Sequence, residues 1–209
     1  DTIKKKSQVL YLGMDLEKFD EFKVAAFKNP LIVWNHRWEY DKNPESFFKC
    51  MFELKDRGAV FNLAILGESF STKPSIFDEA KTKLSKEIVH FGYCNDFSQY
   101  ATWLYKADIL PVTNNQDFFG GSIVEAIYCG AFPILPKRLS YPELLPKERH
   151  KTHLYEREKE LVDMIEDAIS NIKKTRKVSL ASDFKRFDWK NMNSKYDQLF
   201  SKIIDQHKN

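Results

Sequence analysis

Two carboxylates, Asp117 and Glu125, flank the glycine pair Gly120-Gly121. The segment follows an apolar run at 107–112 that predicts a buried strand, and it continues into a helix-like stretch that stops at Gly130. A helix that begins at a glycine turn exposes backbone N–H groups and a partial positive charge, which suit an anionic ligand. Because acids lie on either side, we expect the ligand to carry hydroxyl groups as well, as a nucleotide sugar does.

Two cations, Arg37 and Lys42, lie five positions apart after an apolar run at 31–34. An arginine fork and a lysine point charge could together hold a diphosphate. The alternative is a solvated loop with local Arg37–Glu39 and Lys42–Asp41 pairs, and this is the better interpretation of the cations taken alone. Both cations and the glycine turn are predicted at the same edge of the sheet, however, and this convergence favours a ligand site.

The sequence predicts different roles for the two acids. Glu125 lies inside the predicted helix, where its carboxylate could accept both hydroxyls of a ribose, and Asp117 lies nearer to a transferred sugar. The alternative for Glu125 is an ordinary surface glutamate favoured by the helix dipole. The alternative for Asp117 is a helix N-terminal cap.

Alternating strands and helices must position these residues. Strands are predicted at 31–34, 59–66, 88–91, 107–112 and 132–135, with helices between them and two further helices at 156–172 and 189–204. This alternation predicts an α/β fold, a Rossmann-like parallel sheet flanked by helices with a C-terminal helical extension. Right-handed crossovers place the loops after the strands along one edge, where ligands of such sheets bind.

Composition narrows the class of protein. The 209 residues carry 33 basic and 30 acidic side chains, a formal charge of +3, which by itself does not indicate nucleic-acid binding. Three cysteines, an odd number without close spacing, predict a reducing compartment and no metal cluster. The sequence has no bilayer-length apolar run and no signal peptide, so we expect a cytoplasmic protein without a membrane span. Because the chain starts at Asp1, we expect a fragment or a processed form.

Four motifs, in order over residues 31–136, resemble the C-terminal, donor-binding domain of retaining, group-1 GT-B glycosyltransferases. They are Asn35-His36-Arg37 with Lys42, Ile65-Leu66-Gly67-Glu68, His90-Phe91-Gly92-Tyr93, and Asp117 to Glu125 followed by Ala126, Gly130 and Pro133. The sequence departs from the family pattern by lacking a glycine before Arg37. It also has Asp117 where the family has glutamate, which shortens the reach to the sugar.

Residues 33–39, 41–49, 118–120 and 141–143 are similar to the tRNA-queuosine mannosyltransferase family in particular. That resemblance implies GDP-mannose as donor and queuosine of a tRNA as acceptor. The family's acceptor-binding N-terminal domain is absent from these residues, so the tRNA would be bound through the missing domain. We therefore expect this chain to bind nucleotide weakly and not to transfer sugar.

The resemblance also implies residue roles. The diphosphate would lie against Arg37, Lys42 and the Gly120-Gly121 amides, Glu125 would hold the ribose, Asp117 the hexose, and residues 91–94 would flank the base. The implied donor-binding set is Arg37, Lys42, Gly67, Phe91, Gly92, Tyr93, Phe118, Phe119, Gly120, Gly121, Ser122 and Glu125, with Asp117 and Glu125 as the catalytic acids. Cations and a helix N-terminus would stabilise the leaving diphosphate, so neither a required metal nor a permanently bound cofactor is expected.

Three alternatives stay open at this point: a transferase of the same fold acting on a surface glycan, a non-catalytic nucleotide-sugar-binding module, and a sugar-nucleotide epimerase. The domain prediction is a linker at 1–30, a Rossmann-like domain at 31–180, and a last segment at 181–209. The helix of that last segment is as compatible with packing on the missing domain as with packing on this one.

Overall fold

A computed structural model describes residues 2–68 and 73–207. Its centre is a sheet that, in this described part, has six parallel strands in the order β3-β2-β1-β4-β5-β6. The strands are β1 Leu31–Trp34, β2 Asn62–Ile65, β3 Ile88–Phe91, β4 Ile109–Pro111, β5 Phe132–Pro136 and β6 Leu154–Tyr155. The predicted α/β fold with a parallel sheet is confirmed. The sixth strand was not predicted, because two residues are too few to give a periodic signal.

Helices cover both faces of the sheet and the C-terminal end of the chain. They are α1 Thr2–Lys5, α2 Pro44–Asp56, α3 Ile76–Lys83, α4 Phe97–Lys106, α5 Gly121–Tyr128, α6 Tyr141–Leu144, α7 His150–His153, α8 Glu158–Ser170, α9 Ile172–Thr175, α10 Ala181–Phe184 and α11 Trp189–His207. Short 3-10 turns occupy Glu17–Phe22, Tyr40–Lys42, Lys147–Arg149 and Lys185–Phe187. Side chains cap the N-termini of α2 and α4: the Asn43 side chain accepts from the Ser46 amide, and the Asp96 side chain accepts from the Gln99 amide.

The sheet is buried on both faces, which explains why its central strands read as continuous apolar runs. In β1, Leu31 and Val33 face one apolar cluster and Ile32 and Trp34 face the other, and all four are fully buried. The first cluster includes side chains of α4 and α5, and the second includes side chains of α2, α3 and α8. The helix that carries Glu125, α5, is therefore anchored to the sheet by its buried side chains.

The segments before 31 and after 180 pack on the sheet domain and on each other. Leu16 and Phe19 are fully buried in the first apolar cluster. The Met14 amide donates to the Phe187 carbonyl at 2.8 Å, and the Asp188 carboxylate accepts from the Leu16 amide at 3.0 Å. The domain boundaries at 30 and 180 stay predictions, but both flanking segments contribute to the same folded unit.

The last helix, α11, is attached at its start and exposed further along. Met192 is buried, whereas Phe200 and Ile204 are each 54% exposed. Packing of α11 on a second domain stays a prediction. Within the described residues, every helix is too short or too polar to cross a bilayer.

Candidate active site

The loops after β1 and β4 are joined at the carboxyl edge of the sheet. The backbone amides of Asn115 and Gln116 donate to the Asp41 carbonyl at 2.8 and 3.2 Å, and the Thr113 hydroxyl donates to the Lys42 carbonyl at 3.0 Å. The Lys42 ammonium in turn donates to the Gln116 carbonyl at 2.9 Å. The structure thus brings Lys42 to the loop that precedes α5, although 74 residues separate the two partners.

The two cations differ in their surroundings. The Lys42 side chain is only 12% exposed and lies 3.0 Å from the Asp41 carboxylate. The Arg37 side chain is 54% exposed and pairs with Glu39 at 3.0 Å. Both local ion pairs that formed the alternative interpretation are present. A part in diphosphate binding stays a prediction for each cation, and for Arg37 it requires release from Glu39.

Gly120 allows α5 to begin with free amides. Its φ of +81° lies in the left-handed region, which favours glycine, and it forms the N-cap of α5. The amides of Ile123 and Val124 donate to the Gly120 carbonyl, whereas the Gly121 and Ser122 amides have no acceptor within residues 2–68 and 73–207 and can serve an external one. Two adjacent N–H groups at a helix N-terminus are suited to an anion.

Asp117 braces the turn before α5. Its Oδ1 accepts from the Gly120 amide at 3.1 Å, and its Oδ2 accepts from Asn114 Nδ2 at 2.9 Å and from the Tyr141 hydroxyl at 3.0 Å. Asp117 is not the N-cap of α5, because that position is Gly120; its carboxylate instead holds the amide of the N-cap residue. A carboxylate offers about four acceptor positions. Three are used here, which leaves room for one more donor.

The aromatic members of the predicted site point in different directions. Phe118 is 91% exposed, whereas the Phe119 ring packs against Tyr11 and Phe187. The Phe91 ring packs against Trp38 at 4.7 Å. Phe91 and Phe119 therefore support the loops, and a direct contact with a ligand stays a prediction for all three phenylalanines.

A cavity of about 370 Å³ opens beside Glu125, and residues from three loops and two helices line it, among them Asn35, Gly67, Tyr93 and Tyr100. Glu125 is half-buried, and its Oε2 accepts from the Tyr100 hydroxyl at 2.7 Å. Burial raises the pKa of Glu125, and the Tyr100 hydrogen bond opposes that rise. The carboxylate is therefore a partly desolvated acceptor inside a cavity and not a freely solvated surface group.

Glycines let the backbone approach closely at the cavity. A Cβ on Gly67 would lie 2.0 Å from the His36 carbonyl oxygen, and its φ is +100°. This contact packs the end of β2 against the loop after β1. Gly92 has a φ of +137°, and its amide donates to the Ile65 carbonyl at 2.9 Å. The predicted positions Gly67 and Gly92 are thus occupied by glycine for backbone reasons that the structure makes explicit.

Asn35 and His36 connect the end of β1 to the first turn of α5. Asn35 Nδ2 donates to the Ser122 carbonyl at 2.6 Å, and the Ser122 hydroxyl shares a hydrogen bond with His36 Nδ1 at 3.2 Å. The His36 ring is buried, and burial lowers its pKa to about 4. His36 is therefore neutral near pH 7.

Unpartnered polar atoms concentrate at this edge. Five buried side-chain atoms lack a hydrogen-bond partner in the described part of the chain, and four of them are Asn35 Oδ1, His36 Nε2, Asp41 Oδ1 and Asn114 Oδ1. Leaving a buried polar group unpaired costs about 1–3 kcal/mol. Such groups rarely accumulate without a ligand or water to satisfy them. These four atoms lie on or beside the loops after β1 and β4 that carry the predicted site.

The sequence analysis did not assign Asn35, Tyr100, Asn114 or Tyr141 to the site. Tyr100 lies in the helix that the sequence predicts between the strands at 88–91 and 107–112. The available signal was the Asp96 cap, because it places the first turn of α4 at the carboxyl edge of the sheet. The other three act through side-chain contacts that no local pattern reveals.

Metal-binding side chains do not gather at the site. Across residues 2–68 and 73–207, no three or more His, Cys, Asp or Glu side chains come together in a way that could hold a metal ion. Cys50, Cys94 and Cys129 are buried free thiols.

The fold is that of a Rossmann-like α/β domain, and its candidate site lies at the carboxyl edge of the parallel sheet. The profile of the family described as glycosyl transferases group 1 matches residues 17–182. This chain belongs to that family and forms a glycosyltransferase domain, as its motifs predicted.

The chain is similar to about half of each of several longer proteins. It is 32% identical to a tRNA-queuosine alpha-mannosyltransferase of Drosophila melanogaster, over 98% of this chain and 56% of that protein. Its fold resembles a sucrose-phosphate synthase of Thermosynechococcus elongatus with a TM-score of 0.75 and 16% identity, covering 95% of this chain and 53% of that one. It also resembles the Anabaena protein HepE in complex with UDP, with a TM-score of 0.72 and 17% identity, covering 93% and 57%. The chain thus has the fold of one half of a GT-B glycosyltransferase and spans about half the length of these relatives.

Proposed function

We propose that this chain is the donor-binding half of a retaining mannosyltransferase that uses GDP-mannose and modifies queuosine in tRNA. The observation that carries the proposal is the cavity lined by Glu125, which lies on α5, the helix whose first amides suit an anion, in a chain that matches the group 1 family. The similarity to a protein named as a tRNA-queuosine alpha-mannosyltransferase supports the choice of sugar and acceptor. A tRNA acceptor also agrees with the cytoplasmic location that the sequence predicts.

In this proposal, the nucleotide follows the sheet edge. The ribose hydroxyls donate to Glu125, and the base lies near Tyr93 and Cys94, which also line the cavity. The diphosphate reaches the free amides of Gly121 and Ser122.

Charge stabilisation follows from the same placement. Lys42 lies at the loop before α5 and can pair with the diphosphate as the glycosidic bond breaks. Arg37 is exposed and can join it by leaving Glu39, at a modest cost because exposed ion pairs contribute only about 0–1 kcal/mol. Both cations therefore stabilise the departing nucleotide diphosphate more than they stabilise the intact donor.

Asp117 has a smaller role in sugar binding than the glutamate that is usual at this position in the family. Three protein donors already hold its carboxylate. We assign it one hydroxyl of the transferred hexose, together with the bracing of the glycine turn. Asp117→Asn tests this pair of roles, because an amide keeps the size but cannot accept every one of these hydrogen bonds.

The donor is tested on this chain by calorimetric titration with GDP, UDP and ADP. We expect GDP to bind most tightly, and GDP affinity to fall about tenfold or more in Glu125→Gln, because a charged acceptor is replaced by a neutral amide. Glu143→Gln, at a surface position outside the cavity, is the matched control. Equal affinity for all three nucleotides, or an unaffected Glu125→Gln variant, would contradict the donor assignment.

The acceptor is tested on the full-length protein. We expect transfer of mannose from GDP-mannose to tRNA that contains queuosine, and none to the same tRNA with guanosine at that position. The 209-residue chain alone should be inactive, because the acceptor surface belongs to the other half. Transfer by the full-length protein to a surface glycan but not to tRNA would favour the alternative transferase.

A further inference from the structure

We propose that Tyr100 is a positioning residue for Glu125: its hydroxyl holds one carboxylate oxygen so that the other is presented to the ligand. The binding consequence rests on the proposed function, in which Glu125 receives the ribose. The hydrogen bond itself does not depend on that assignment.

The contact joins two helices across the cavity. The Tyr100 hydroxyl on α4 donates to Glu125 Oε2 on α5 at 2.7 Å, and both residues line the cavity together with Asn35. Glu125 Oε1 receives no hydrogen bond from the described part of the chain. A ligand hydroxyl therefore finds one oxygen free and the other fixed in direction.

The Tyr100 hydroxyl is held in place by the core. Its ring packs edge-on against Phe19 with centroids 6.2 Å apart, and Phe19 also packs against Phe97 at 4.7 Å. Phe19 is fully buried and belongs to the segment before β1. The orientation of Glu125 thus depends on a part of the chain that carries no predicted site residue.

The same bond opposes the effect of burial on the pKa of the carboxyl group. Burial raises the pKa of Glu125, whereas the Tyr100 hydroxyl and the nearby Lys18 lower it. Burial and Glu125 raise the pKa of Tyr100 well above its ordinary value, with Cys129 as a further neighbour. Tyr100 therefore stays a protonated donor, and its bond favours the ionised carboxylate that can accept two ribose hydroxyls.

Tyr100→Phe tests the proposal, because it removes one oxygen and keeps the ring. Tyr105→Phe is the matched control: Tyr105 lies on the same helix and donates to the Asp20 carboxylate at 2.9 Å, away from the cavity. Carbon NMR of the Glu125 carboxyl measures its titration without any nucleotide. We expect the midpoint to rise in Tyr100→Phe and to stay constant in Tyr105→Phe; an unchanged midpoint in Tyr100→Phe would overturn the proposal.

Nucleotide binding gives the second readout. We expect GDP affinity to fall about tenfold in Tyr100→Phe, as for loss of a charge-assisted hydrogen bond, with the acid limb of the binding profile moved to higher pH. Affinity for 2′,3′-dideoxy-GDP should change less than about twofold, since it lacks the hydroxyls that Glu125 receives. An equal loss for both nucleotides would mean a general packing defect and would overturn the positioning role.

The carboxyl titration and the nucleotide affinities together distinguish the Tyr100 proposal from the ribose assignment in the proposed function. If the carboxyl midpoint rises but the unmodified chain binds GDP and dideoxy-GDP equally, the ribose assignment in the proposed function fails and the hydrogen bond is upheld. If the unmodified chain prefers GDP to dideoxy-GDP, but Tyr100→Phe has the same GDP affinity and the same Glu125 titration midpoint as that chain, the proposed function is upheld and the Tyr100 inference fails.

Discussion

His36 is expected to make the folded state less stable as the pH falls from about 6.5 to about 4. The ring is enclosed between Trp34 and Ser122, and burial lowers its pKa to about 4 from an ordinary value of 6.5. In that range the unfolded chain binds a proton that the folded chain does not. Because the folded pKa is the lower one, stability is unaffected above 6.5 and is lost progressively as acid is added.

The size of the stability loss follows from the difference between the pKa values of His36 in the folded and unfolded chain. At about 1.4 kcal/mol for each tenfold change in proton concentration, the loss amounts to about 3 kcal/mol by pH 4. This is a large part of the total stability of a typical domain, which is about 5–15 kcal/mol.

Urea unfolding at pH 7, 6, 5 and 4 measures the effect in the natural chain and in His36→Asn. Asparagine stays neutral and keeps an acceptor for Ser122, and all other titrating groups, including the buried His153, are common to both proteins. We expect the free energy of unfolding of the variant to gain about 3 kcal/mol relative to the natural chain between pH 7 and pH 4. His150→Asn, at a half-buried surface position, is the control for loss of a histidine. Parallel stability curves for the natural chain and His36→Asn would refute the reasoning.

Three further predictions concern the loops of the site. Gly67→Ala should lower the free energy of unfolding by about 2–4 kcal/mol in urea denaturation, because its Cβ meets the His36 carbonyl in a left-handed backbone. Gly58→Ala, where a Cβ meets nothing within 4 Å, should lose only about 1 kcal/mol, and equal losses would contradict the role of the close contact. Lys42→Met should weaken GDP binding about tenfold and flatten its dependence on salt in calorimetry, whereas unchanged salt dependence would remove Lys42 from the diphosphate site. Asp117→Ala should cost about 2–3 kcal/mol of stability by thermal unfolding, because three donors lose their acceptor, and a neutral effect would contradict the bracing role.

Local patterns were sufficient for much of the fold. Successive side chains of a strand point to opposite faces, so four consecutive apolar residues at 31–34 predict a strand that is buried on both faces. All four residues of β1 are buried. The Asn43 cap and the glycine turn before α5 likewise specify helix starts from a few adjacent residues. The order of the motifs along the chain was enough to identify the family.

The details of the site depended on contacts that no local pattern contains. The sequence indicated an acid pair, but the partner that orients Glu125 is Tyr100, 25 positions away on another helix. It suggested a sugar contact or a helix cap for Asp117, whereas in the structure the Tyr141 hydroxyl, the Asn114 amide and the Gly120 backbone amide all donate to its carboxylate. Residue types and spacing determine which elements form and which edge they share. Which side chains meet there depends on how helices pack across the sheet, and only the tertiary structure decides those distances.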